Sequence, residues 1–154
     1  MALEDLIPSG GATVDFGASS RKQALQAMSE TAANATGLNA RTIFEAVLQR
    51  ERLGSTGVGQ GVAIPHARLP GIKEVTGFFM RLRTPIDFES IDGQPTDLIF
   101  LLLAPEDASA EHLKALARVS RMLRRDDVRR RLRAAPDAAA IYAVLAGEPA
   151  TDAA

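Results

Sequence analysis

Cysteine is absent from the 154 residues, which removes disulfides, a thiolate nucleophile, cysteine-ligated zinc or iron–sulfur centres, and the redox roles that depend on them. Histidine is nearly as scarce, with two in the chain, and tyrosine occurs once. A net charge of one sign is also missing. Eighteen basic against 19 acidic side chains leave −1, so no whole-molecule field draws in nucleic acid or anionic lipid. No hydrophobic run is long enough to cross a bilayer: Leu98 to Ala104 covers seven residues, against the ~18–20 that are needed. The start, MALEDLIPSGG, carries acids early and lacks a basic stretch followed by a long apolar one. A cytoplasmic protein with no membrane insertion is the expectation. With 46% hydrophobic and 24% charged residues, the chain reads as one globular domain. Its core is expected over about residues 12–146 of 1–154, with loose ends in the first several residues and beyond Gly147.

Spacing supplies the elements. Ser20 with Gln23 fits a capping box, and Leu25, Met28 and Ala32 follow at helical spacing, giving a helix over about 20–35 that Gly37 stops. Asn39 caps a second helix over about 40–51, striped by Ile43, Phe44, Val47 and Leu48 and ended by Gly54. Gly57 to Gly61 reads as a glycine-rich turn, followed by a short strand that Pro65 cuts, which puts His66 at a strand's end. Val75 to Arg83 is a strand, and Leu98 to Leu103, apolar on both faces, is a central strand covered by helices on both sides. A helix from Ser109 or Ala110 to about 124, a short one around Val128 and Leu132, and an Asp137-capped helix to Gly147 complete the chain. The fold class is α/β or α+β: a mixed sheet flanked by helices.

With two imidazoles and no thiol, the search for chemistry is short. Pro65 and the small neighbour Ala67 hold His66 at one place on the sheet's rim, beside glycines that leave access open. A neutral ring nitrogen is abundant at neutral pH, the property a phosphoryl acceptor needs; the plainer reading is a side chain with no task. Arg50 falls on the apolar stripe of its helix with Ile43 and Val47, whereas Arg52 is rotated away. It either clamps a phosphate or pairs with a carboxylate such as Asp97. His112 shares a face with Leu116, Val119 and Leu123, as a core histidine or as a donor to an oxyanion near a helix N-terminus. One site built from His66, Arg50 and His112 is the working hypothesis. Gly57-x-Gly59-x-Gly61 lacks the spacing of a nucleotide loop, no metal-binding pattern surrounds either histidine, and Ser55 lies in no nucleophile elbow. Residues 118–133 hold eight arginines with Asp126 and Asp127 interleaved and no aromatic among the arginines, which reads as a solvated face or docking surface rather than a nucleic-acid site.

The block from Arg50 to His66, Arg-Glu-Arg-Leu-Gly-Ser-Thr-Gly-Val-Gly-Gln-Gly-Val-Ala-Ile-Pro-His, followed by Ala67 and Arg68, resembles the active-site segment of the fructose/mannitol-type enzyme IIA family of the phosphoenolpyruvate-dependent phosphotransferase system, most closely its nitrogen-regulatory branch. The likeness continues through Thr84-Pro-Ile-Asp-Phe88, Ile91-Asp-Gly-Gln-Pro-x-Asp-Leu98, Leu103-Ala-Pro105, His112-Leu113 and Arg130-Arg-Leu-Arg-Ala-Ala135. The resemblance implies that His66 accepts a phosphoryl group from a phosphohistidine of an HPr-like carrier. It gives Arg50 and His112 the support of the phosphate, with Ser55, Thr56, Gly61, Pro65 and Arg68 in the supporting loop. No cofactor and no metal are implied. Partners are the HPr-like protein and regulated targets such as a transporter or kinase, not nucleic acid. Position 67, usually glycine in the family, is Ala67, expected to narrow access to the ring; position 68, often lysine, is Arg68. Two alternatives stand beside this reading: a separately encoded IIA subunit of a sugar transporter, and a binding module that is never phosphorylated.

Overall fold

The computed structural model describes residues 3–147. Capping chemistry sets the helix boundaries. Ser20 Oγ accepts the Gln23 N–H at 3.1 Å and opens α1 (Arg21–Thr36), while the Gln23 side chain reaches back to the Ser19 N–H, one residue beyond the usual reciprocal bond. Gly37, at φ +79°, ends α1 by donating to Ala33. Asn39 Oδ1 holds the Thr42 N–H and starts α2 (Ala40–Leu53); Asp137 does the same for α5 (Ala138–Ala146) through Ala140. Between them, α3 (Ser109–Arg124) and α4 (Asp126–Ala134) begin without a side-chain cap.

Six strands form one mixed sheet: β1 (Ala12–Phe16), β2 (Gly57–Gly59), β3 (Val62–Ala63), β4 (His66–Leu69), β5 (Thr76–Ile86) and β6 (Thr96–Pro105). Their order is β1-β5-β6-β3-β2, with β4 also on β6. β5 and β6 are antiparallel, as are β2 and β3; the remaining pairs are parallel. β6 is the axis of the molecule, as its two-sided apolar run predicts. Leu98, Phe100, Leu102 and Ala104 face a core shared with α3, α4 and α5, and Ile99, Leu101 and Leu103 face a second core under α1 and α2. All seven are 0% exposed.

The structure differs from the sequence reading in four places. Pro65 interrupts the strand but does not end the pairing: its carbonyl accepts the Leu102 N–H at 2.9 Å, and His66 opens β4 opposite Leu102 instead of closing a strand. The glycine-rich turn is a hairpin of β2 and β3, joined by Gln60 and Gly61 at φ +61° and +77°, both left-handed as a type I′ turn requires. A side chain at Gly61 would also strike Arg133, because a Cβ there would lie 2.3 Å from its Nη2. The start of the chain is packed from residue 3: Leu3, Leu6 and Ile7, in and after a 3₁₀ turn, are 1%, 2% and 5% exposed within the α3–α5 core, and β1 adds an edge strand on β5. The tail expected to be loose beyond Gly147 lies outside the described residues. Finally, the arginine-rich helices are not simply a solvated face. Arg129, 6% exposed, donates to the Leu123 and Arg124 carbonyls at the end of α3, and Arg133 binds Asp97 and the Gln60 carbonyl.

Candidate functional site

β4 starts beside the end of α2 and the start of α3, so His66, Arg50 and His112 converge although up to 62 residues separate them in sequence. They line a cleft of about 660 Å³. One wall is α2, through Ala46, Gln49, Arg50 and Leu53; the other is α3, through Ser109, His112, Leu113 and Leu116; His66, Ala67 and Arg68 form the floor. Among the described residues no carboxylate lines it, so its polar groups, set among alanine and leucine side chains, are basic or neutral.

The two rings meet edge to face, their centroids 5.4 Å apart at 67°. His66 Nδ1 lies 2.9 Å from the Ile64 carbonyl, which can only accept, so Nδ1 carries the proton of the neutral ring and Nε2 keeps its lone pair. Burial pushes the His66 pKa below the usual 6.5 and the nearby Arg50 adds to this, against the opposing pull of the Ile64 carbonyl and Glu51. His112 is 8% exposed and its Nε2 is buried with no hydrogen-bond partner. Its pKa is also lowered, first by burial and then by repulsion from His66 and Arg68. A buried polar atom without a hydrogen bond costs roughly 1–3 kcal/mol.

Arg50 folds back so that Nη1 donates to the Gly54 carbonyl at 2.9 Å, at the end of its own helix. It does not pair with Asp97, the carboxylate suggested for it, which is taken by Arg133 at 3.0 Å. Arg68 donates to Ser109 Oγ at 2.7 Å and ties β4 to α3. The other residues of the expected supporting loop stay outside the cleft. Ser55 bonds the Phe88 carbonyl, Thr56 bonds Glu51, Gly61 turns the hairpin and Pro65 pairs with β6. Gln49 and Ser109 line the cleft and were not anticipated. Gln49 could have been found, since it precedes Arg50 on the same helix end; Ser109 carried only a helix-start signal. Among the described residues, no three His, Asp or Glu side chains come together as a metal seat, and no helix is long and apolar enough to cross a membrane.

Comparison with known proteins gives the chain's family. The model of the phosphoenolpyruvate-dependent sugar phosphotransferase system EIIA 2 family matches residues 6–147. A nitrogen regulatory protein of Bradyrhizobium diazoefficiens is 56% identical over 151 residues, covering 98% of this chain and 99% of that one. One of Pseudomonas aeruginosa is 43% identical over 144 residues, with 93% and 94% covered. The crystal structure of nitrogen regulatory protein IIA-Ntr from Neisseria meningitidis superposes with a TM-score of 0.88 at 36% identity, covering 93% of this chain and 98% of that one. IIA mannitol of Escherichia coli, at 17% identity and a TM-score of 0.76, shares the fold. A match spanning nearly every described residue, joined to relatives well above 30% identity along their whole length, settles the relationship: the chain belongs to the EIIA type 2 family of the phosphoenolpyruvate-dependent sugar phosphotransferase system.

Proposed function

We propose that this protein is a phosphocarrier in which His66 Nε2 takes a phosphoryl group from the phosphohistidine of an HPr-like protein, and that the resulting charge state regulates other proteins. The observation that carries the reading is a backbone-anchored imidazole beside a second one whose Nε2 has no hydrogen bond, in a cleft that no described carboxylate lines. In the transfer, the P–N bond of the donor breaks as the bond from phosphorus to His66 Nε2 forms, and the donor imidazole leaves with the electron pair. Positive charge developing on the His66 ring is shared with the Ile64 carbonyl through Nδ1–H. One P–N bond replaces another of similar energy, so the protein's task is alignment and neutralisation of the phosphoryl oxygens. Arg50 offers its remaining guanidinium donors, and His112, as its Nε2–H tautomer, one more. Leu53 and Leu113, 83% and 65% exposed at the rim, supply the apolar contact a docking carrier needs.

Regulation rather than sugar transport is supported by the nitrogen regulatory proteins, which match this chain over nearly their full length. The transport reading draws on the fructose-specific EIIABC component of Bacillus subtilis, 41% identical over 109 residues, of which this chain spans 17%. Incubation with phosphoenolpyruvate and the upstream relay proteins, read by mass spectrometry at neutral to alkaline pH, is expected to add one phosphoryl group to the wild type and none to His66→Ala. Uptake by His66→Ala at the same rate refutes the assignment, and no uptake by the wild type favours the unphosphorylated binding module. Restoration of sugar phosphorylation by added IIB and membrane subunits would favour transport.

A further inference from the structure

We infer that Glu51 is a positioning residue for the acceptor imidazole: through Thr56 and the Ile64 backbone it holds His66 in the orientation that leaves Nε2 open. The inference rests on the phosphocarrier reading of the same site. Glu51 follows Arg50 in sequence but is turned away from the cleft, 3% exposed. A carboxylate buried so far from water needs donors. It has the Thr56 hydroxyl, the Thr56 N–H at 3.2 Å and the Arg21 guanidinium at 3.5 Å. Thr56, itself 5% exposed, passes the constraint on: its carbonyl accepts the Ile64 N–H at 3.0 Å, and the Ile64 carbonyl holds His66 Nδ1 at 2.9 Å. The result is a series of hydrogen bonds from Glu51 at the end of α2, through the segment before the hairpin, to the ring, with an ion pair to the first residue of α1 at its outer end.

The outer end is fixed as well. Arg21 also pairs with Glu89 at 2.9 Å and lies 5.8 Å above the Phe88 ring. Because the N–H and C=O of Ile64 belong to different peptide units, what travels along the series is position more than polarisation. Position is what in-line transfer demands, since a displacement of about 1 Å costs on the order of a hundredfold in rate. Charge adds a second effect. Arg50 from α2, Arg68 from β4 and His112 from α3 face His66, and Glu51 behind it is the counter-charge that raises the ring's proton affinity against Arg50.

NMR of the full chain tests the inference without requiring phosphorylation. In the wild type, an Nδ1 proton on His66 coupled across its hydrogen bond to the Ile64 carbonyl is expected, and its absence overturns the inference. In Glu51→Gln and Thr56→Val that signal should weaken and phosphoryl uptake should slow about tenfold. Thr56→Ser, which restores the hydroxyl, should return both toward wild type. The His66 titration midpoint should fall in Glu51→Gln. Folded variants whose imidazole signals match the wild type overturn the inference even where uptake is slower, because a merely structural defect would do that. Should neither principal variant fold, Arg21→Met at the outer end of the series must weaken the same signal or the inference fails. A wild type with the expected signals but no uptake refutes the phosphocarrier reading and leaves the positioning role standing.

Discussion

Two groups of basic side chains are set into this molecule, and they differ in what their polar atoms meet. Arg81, 8% exposed, spends its guanidinium on the Leu132, Arg133 and Ala135 carbonyls and on Asp15; Arg129 spends its own on the end of α3; Arg133 binds Asp97 and the Gln60 carbonyl. These arginines finish helix ends and join them to the sheet. Around the cleft the polar atoms are under-used: Arg50 makes one bond to Gly54, His66 spends its Nδ1 proton on Ile64 and keeps the Nε2 lone pair open, and His112 Nε2 has no bond. Burial of a cation therefore says little about function. Polar atoms left open in a cavity that no described carboxylate lines are what set the cleft apart.

The contrast can be broken at either region. Arg81→Met should destabilise the fold by about 3 kcal/mol, since it strands three carbonyls at the end of α4, and urea unfolding would read it. The folded fraction should take up phosphate at the wild-type rate; a loss of rate would mean that the two regions are not separable. Arg50→Ala should do the reverse. Uptake slows on the order of a hundredfold, about 2.7 kcal/mol in the barrier, while stability moves by under about 1 kcal/mol.

Acidification sharpens the comparison. Both imidazoles have pKa values below the usual 6.5, so as pH falls through that value the unfolded chain takes up protons before the native one does. Their contribution to stability is complete above about pH 6.5, declines below it and levels off under the lowered native values. Denaturant midpoints from pH 8 to 5 should show a shallower decline in His112→Phe than in wild type, and equal slopes would disprove the assignment. The smallest effect is the most pointed. At neutral pH, His112→Phe removes the orphaned Nε2 and should raise stability by about 1 kcal/mol while slowing uptake. A loss of stability would show that the ring's burial is not a cost borne for the site.

Much of this was legible in the sequence, where local chemistry decides. Ser20, Asn39 and Asp137 each cap the helix they promised, and the run from Leu98 to Leu103 is the central strand because being apolar on both faces admits no other place. The convergence of Arg50, His66 and His112 was readable from helical phase and from the family resemblance together. What escaped depends on contacts distant in sequence. β1 is short, its register on β5 shifts between Thr13 and Phe16, and Asp15 sits at φ +56°, so no alternation marks it. That His66 opens β4 is decided by Leu102 on another strand. Asp97 was offered as a partner for Arg50, but it belongs to Arg133, which the type I′ turn at Gln60–Gly61 brings within reach.

The cleft's walls come from opposite layers, α2 from the helices on one face of the sheet and α3 from those on the other. A dianion lodged on His66 would therefore act as a rivet across the sheet margin, pulling Arg50 and His112 inward from either side. Amide hydrogen exchange at the end of α2 and the start of α3 should slow together when it is in place and quicken together when it leaves. A receptor that senses the spacing of those two helices would then read phosphorylation without ever touching phosphorus.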